Sequence, residues 1–312
     1  MTPRLARLVA LVLTGAGAAA VVAGLAPAGR SLDLRERGVV NTDRPGINAH
    51  NSPAAAADPT RPATLVVADR IDTPRYSCSI SRSTNGGQSW QPLSLPLAEG
   101  AANCFTPDVA FAAGGDLLVL YTTVGGRFSL PVALWLQRFT DGAAAGLPVA
   151  VAGPLAFHAT LEAAGATVLV AWAQAAPETV DKPIGLVAPT RIMLARSTDG
   201  GSTFAPPVAV SEPGLRVVAP TVVIAGSRVV VGALDLAGDV ADFEATHEGQ
   251  GGEPYAGRWR IVTWASEGSQ PFGATTVVHA EVVPPARIIV NLAPRPSFAA
   301  DPSTGRLYAV WD

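Results

Sequence analysis

At 312 residues the chain could hold two average domains, although an all-β array can use that length as a single unit. Charged residues make up only 15%, beside 31 Gly and 27 Pro, which suits short strands joined by tight turns and argues against long solvated helices. The net charge of −3 gives no basis for a nucleic-acid or membrane-surface partner, and neither a zinc-ligand spacing nor a phosphate loop is present.

The chain opens with Arg4 and Arg7, an apolar run from Leu8 to about Leu25, and the small-residue triplet Ala26-Pro27-Ala28. That order predicts an export signal over residues 1–28, either cleaved or retained as an anchor, since the run is just long enough to span a bilayer. Any membrane association is expected through this segment alone, and only if it is uncleaved. The body is expected to be secreted or displayed at the cell surface. Residues 29–46 read as a linker in which Leu32–Thr42 can add one outer strand.

From residue 47 onward one unit recurs. A Pro or small residue opens an apolar strand, a Gly or Asp-Pro turn follows, and a second apolar strand ends near an aromatic or acidic residue. The instances are Pro53–Asp69, Pro107–Tyr121, Ala159–Trp172, Pro220–Asp235 and Pro296–Asp312. A third strand then leads into a polar turn, twice almost verbatim: S-T-N-G-G-Q-S-W from Ser83 to Trp90, and S-T-D-G-G-S-T-F from Ser197 to Phe204. Weaker copies are Thr140-Asp141-Gly142 and Ser266–Phe272. Asn85, Asp141, Asp199 and Glu267 recur at intervals of 56, 58 and 68 residues, a period that indicates an array or a propeller. A short apolar stretch after each turn, such as Pro207–Val210, supplies a fourth strand. The predicted fold is therefore an all-β propeller of four-stranded antiparallel blades, four of them complete with a partial fifth beginning at Pro296.

These turns resemble the Asp-box of the BNR repeats found in the sialidase superfamily. The resemblance implies a ring that is usually six-bladed, so residues 47–312 are expected to form a sialidase-like propeller truncated at its C-terminus. It gives Ser83, Asn85, Gly87, Trp90, Ser197, Asp199, Gly201 and Phe204 a structural role, on the face opposite the binding pit. In physical terms the Asn or Asp side chain accepts the turn's own amides, Gly permits positive φ, and the ring packs against the outer strands. Cys78 and Cys104, an even pair in an exported chain, are expected to form a disulfide. Under the same map both lie near the binding face.

The segment D-R-I-D-T-P-R, Asp69 to Arg75, looks like the first blade of a sialidase, where an acid/base Asp precedes the first Asp-box. Asp72 matches that catalytic Asp, and Arg70 and Arg75 are neighbouring cations able to hold a ligand carboxylate. Departures are equally plain. Asn51 stands where the family carries an Arg, Ala219 precedes Pro220 where a Glu is usual, and Leu234-Asp235 replaces a further Arg. The acid-rich stretch Asp235–Arg258 contains Asp239, Asp242, Glu244, Glu248, Glu253 and Tyr255. Glu253 and Tyr255 are candidate ligand contacts, and the stretch offers the oxygen ligands that a calcium site would need; no other cofactor is expected. The expected function is glycan or extracellular-protein binding without catalysis, and the other reading is an exo-α-sialidase using Asp72.

Overall fold

A computed structural model describes residues 40, 49–126, 129–176, 189–239, 256–284, 296–301 and 304–311 of the protein. The expected export signal, residues 1–28, and the outer strand suggested for Leu32–Thr42 lie outside the described residues, apart from residue 40. Among the described residues every regular element but one short 3₁₀ turn, Ala113–Gly115, is a β-strand.

The strands fall into successive antiparallel sheets that follow the sequence without crossovers. The first contains β1 (His50–Ala57), β2 (Leu65–Ile71), β3 (Ser77–Ser83) and β4 (Gln91–Pro92). The second contains β5 (Phe105–Phe111), β6 (Leu117–Gly125), β7 (Leu130–Thr140) and β8 (Ala143–Ala144), with β9 (Val149–Ala152) also pairing β7. The third is β10 (Ala156–Ala164), β11 (Thr167–Ala175), β12 (Thr190–Ser197) and β13 (Val208–Ala209). The fourth is β14 (Val217–Ala225), β15 (Arg228–Asp235), β16 (Trp259–Glu267) and β17 (Thr276–Val282). A final pair, β18 (Ser297–Ala300) and β19 (Leu307–Val310), forms a two-stranded sheet. The architecture is the predicted propeller of four complete blades and a partial fifth. The fourth strands are shorter than the apolar stretches suggested, two residues in three of the blades.

Successive first strands pack against one another: β1 on β5, β5 on β10, β10 on β14 and β14 on β18. The core is accordingly divided into seams between sheets. Val66, Ile80, Val119 and Phe139 fill the first seam; Leu118, Leu134, Val170 and Trp172 the second; Ile192, Val230, Ile261 and Trp264 the third. In blades two to four the second strand is covered on both faces, which is why β6 reads as the nearly unbroken apolar run Leu-Leu-Val-Leu-Tyr and is buried through Val124. The partial blade docks through a notch: Phe298 lies where a Cβ on Gly232 would come within 2.1 Å of its ring. Its second strand is otherwise open, with Tyr308 54% and Val310 66% exposed.

Register gives each blade two distinct ends. In blade one Ile71 pairs with Ser77 at one end, and Leu65 pairs with Ser83 at the other. At the first end, which we term the bulge rim, every complete blade carries a register shift in its first strand. The inserted residues are Ser52, Thr106, His158 and Ala219, all at positive φ between 44° and 52°. The other end, the turn rim, carries the first hairpins and the polar turns. Asp72 and Asn85 thus sit at opposite ends of one sheet, about 20 Å apart along the strands.

Candidate functional site

The turn rim is built for cohesion. In the Ser83 turn, Ser83 Oγ donates to Asn85 Oδ1 at 2.9 Å and accepts the Gly87 amide at 2.9 Å, while Asn85 Oδ1 also accepts the Ser89 amide at 3.0 Å. The Ser197 turn repeats this arrangement. Ser197 Oγ donates to Asp199 at 2.7 Å and accepts from Gly201 at 2.9 Å, and Asp199 accepts the amides of Ser202 and Thr203 and the Thr203 hydroxyl. Those hydroxyl and amide donors hold the Asp199 carboxyl far below the usual carboxylate range. Gly87 and Gly201 take the positive φ that the turn demands. Phe204 packs against the second seam, and Trp90 is half-buried.

Arginines then link blade to blade. Arg82, Arg138 and Arg196 each precede the position that opens their own turn, and each reaches the turn of the next blade. Arg82 lies against Gly142, Arg138 donates to Ser202 Oγ, and Arg196 Nη2 donates to the Gly268 carbonyl at 2.9 Å. Arg61 joins the same system, binding Asp58 at 2.7 Å and the Gly115 carbonyl of blade two at 3.1 Å.

The bulge rim is organised differently. A bulge at the mouth of a sheet re-aims side chains, and an L-residue at positive φ stores strain that clusters at functional positions. Beside the blade-one bulge lie the side chains singled out in that blade. Arg70, near the end of β2, gives Nε to Asp72 Oδ1 at 2.5 Å and Nη2 to Asp72 Oδ2 at 3.3 Å. Asn51 Nδ2, from β1, donates to Asp72 Oδ2 as well. The guanidinium of Arg70 sits 4.2 Å above the Phe105 ring and 5.7 Å from that of Tyr76, and the two rings meet edge to face at 4.9 Å. Cys78 and Cys104 are joined in a disulfide with Cα atoms 5.5 Å apart, beside both rings. One residue back along the strands, His50 Nδ1 and Asp69 Oδ1 are 2.8 Å apart. Arg75 is exposed and reaches neither carboxylate. The structure therefore brings Arg70, Asp72 and Asn51 together and leaves Arg75 outside.

Blade four carries a matching pair. Asp235, 2% exposed, accepts Arg260 Nε at 2.9 Å and Arg260 Nη2, and its other oxygen takes the Ala237 amide at 2.8 Å. Asp239 is buried and accepts Trp259 Nε1 at 2.8 Å. Both acids of the Asp235–Arg258 stretch that lie among the described residues are thus engaged by protein donors. Glu253 and Tyr255, with Asp242, Glu244 and Glu248, fall outside the described residues. Among the described residues no group of three or more metal-ligating side chains is arranged to hold an ion. Sequence reasoning did not single out Arg260, nor the His50–Asp69 pair. The bulges left one trace in it, a Pro or Ala directly after each inserted residue (Pro53, Pro107, Ala159, Pro220).

A last titratable group lies between blades. Burial and the neighbouring Asp108 carboxylate push Glu162 of β10 up to about 7. Asp108 itself accepts the Leu161 amide at 2.8 Å, tying β5 to β10.

No protein-family model matches the chain, and no curated protein matches it. Solved structures do. The GH93 α-L-arabinofuranosidase of Fusarium graminearum, in complex with arabinobiose, is 14% identical with a TM-score of 0.57, the alignment covering 86% of this chain and 77% of that one. A Penicillium chrysogenum α-L-arabinanase complexed with arabinobiose is 14% identical with a TM-score of 0.56, covering 84% and 74%. A protein of unknown function from Dyadobacter fermentans is 13% identical with a TM-score of 0.55, covering 75% and 70%. At these identities the likeness is one of fold, and the chain shares its β-propeller architecture with the two carbohydrate-active enzymes.

Proposed function

We propose that this chain is an exported, sialidase-like Asp-box propeller that binds glycan through its bulge rim without hydrolysing it. The observation that carries this reading is the engagement of Asp72 by Arg70 and Asn51 on both carboxylate oxygens. Both oxygens of that carboxylate are taken up by protein donors, so it is not presented to a glycosidic oxygen, and the guanidinium that would grip a sugar carboxylate is already occupied. Arg260 is occupied likewise by Asp235. With both arginines satisfied inside the protein, the rim favours a neutral saccharide over a sialic acid. The aromatic and amide groups around Phe105, Tyr76 and Asn51 suit stacking and hydrogen bonding to such a sugar. Arg75 is exposed in the segment between β2 and β3 that also carries Asp72. Likeness in fold to two proteins solved with arabinobiose supports a saccharide ligand. Export rests on the N-terminal sequence, which can be checked by N-terminal sequencing of secreted protein.

The test is a binding panel of arabinobiose, xylobiose and 3′-sialyllactose, run beside hydrolysis of a fluorogenic sialoside and a fluorogenic arabinofuranoside. Binding of a neutral sugar without turnover is the expected result. Turnover that Asp72→Asn abolishes would overturn the non-catalytic reading, and failure to bind any saccharide would overturn the glycan reading.

A further inference from the structure

We infer that the Tyr76–Phe105 ring pair, stapled by the Cys78–Cys104 disulfide, is the positioning element of the blade-one rim, so that loosening it frees the Arg70–Asp72 pair and weakens the ligand surface. The ligand part rests on the glycan-binding reading; the positioning part does not.

The contacts run in a chain. Cys104 directly precedes Phe105, and Cys78 lies two residues after Tyr76, so the disulfide fixes the approach of the two rings. The backbone between them is joined by one long bond, Cys104 N to Tyr76 O at 3.4 Å, which leaves the covalent link as the firm connection. The rings form the shelf for Arg70, its guanidinium 4.2 Å above Phe105. Arg70 in turn orients Asp72, whose amide donates to the Ala49 carbonyl at 3.1 Å and whose carboxylate receives Asn51. A flexible arginine on an aromatic face loses its preferred rotamer when that face is removed, and with it the fixed direction of the carboxylate. The device has no counterpart in the other blades, because the chain's two cysteines are both used here.

The test is hydrogen exchange on the full chain, oxidised and reduced, together with the Phe105→Leu variant, which keeps the disulfide and the apolar bulk but lacks a ring face, and the Phe105→Tyr variant, which restores the face. Exchange over residues 49–51 and 69–76 should rise about tenfold on reduction and in Phe105→Leu, stay unchanged in blades three and four, and return to the parent rate in Phe105→Tyr. Arabinobiose, used as the probe, should bind about tenfold more weakly wherever exchange has risen. Unchanged exchange in those segments, or a rise spread evenly over all blades, would overturn the inference. If arabinobiose does not bind the parent protein, the glycan reading is what suffers, while exchange still decides the positioning role.

Discussion

The two rims of the same sheets solve opposite problems. At the turn rim polar side chains accept backbone amides or reach the neighbouring blade, as Asp199 and Arg196 do, so each charge contributes to cohesion. At the bulge rim the charged groups of blades one and four pair locally, Asp72 with Arg70 and Asp235 with Arg260, beside residues held at positive φ. One end locks the array and the other holds a prearranged, mildly strained surface. What separates them is therefore which partners the charges find: Asp199, Arg138 and Arg196 meet backbone groups or hydroxyls of the turns, whereas Asp72 and Asp235 are each matched to an arginine of their own blade.

The sharpest way to break this contrast is at the buried acid of the bulge rim. Asp235→Ala leaves the Arg260 guanidinium and the Ala237 amide without their acceptor, and should lower stability by about 3 kcal/mol, the low end for a broken buried pair because Arg260 is 39% exposed. Chemical denaturation of the two proteins measures it. Next comes a pH effect between the rims. The folded chain keeps a proton on Glu162 up to about 7, whereas the unfolded chain releases it near 4.5. Stability from this group is therefore fully present below pH 4.5 and declines as pH rises to 7, by at most about 3 kcal/mol. Glu162→Gln should match the parent melting temperature at pH 4.5 and exceed it at pH 8; equal temperatures at both would refute the assignment. Glu212, held down to about 2 by Thr275, its own amide and Trp264, acts in the opposite sense, its stabilisation fading as pH falls from 4.5 toward 2.

Smaller effects sharpen the comparison. Gly201→Ala at the turn rim forces an L-residue to φ +84° with its Cβ 2.6 Å from Leu136 Cδ2, and should destabilise by about 2 kcal/mol. Ala219→Gly at the bulge rim relieves an L-residue at φ 50° and should change stability by less than about 1 kcal/mol, in the favourable direction. Thermal melts of the pair should move in opposite directions. Equal losses would show that the bulge residue is not strained.

Blade count, strand order, the polar turns and the disulfide were legible in the sequence because each follows a spacing: apolar runs bounded by Gly or Pro, a turn every fifty-odd residues, one pair of cysteines. The tie of Arg82, Arg138 and Arg196 was written there too, each just ahead of its turn, but its meaning depends on how the next sheet is stacked. The rim pairs were not legible. His50 and Asp69 are 19 residues apart and Asp235 and Arg260 are 25 apart, and only strand register makes them neighbours. Bulges at Ser52, Thr106, His158 and Ala219 leave little in composition beyond the Pro or Ala that follows each, since only histidine among these residues is enriched at positive φ. Arg70 was readable as a cation beside Asp72, yet its engagement by that carboxylate required coordinates.

The recurring bulge has a consequence for how such a protein can diverge. An inserted residue in a first strand changes what is presented at the mouth while the pairs farther along, such as Thr160 with Ala171 or Thr221 with Gly232, keep their alignment. Serine, threonine, histidine and alanine already occupy the four positions, and Ala219 is itself part of the third seam. Ligand preference in this scaffold can therefore drift by single substitutions at Ser52 and Thr106, whereas His158 and Ala219, joined across blades three and four by the Ala219 amide on His158 Nδ1, couple any change there to the packing between those blades.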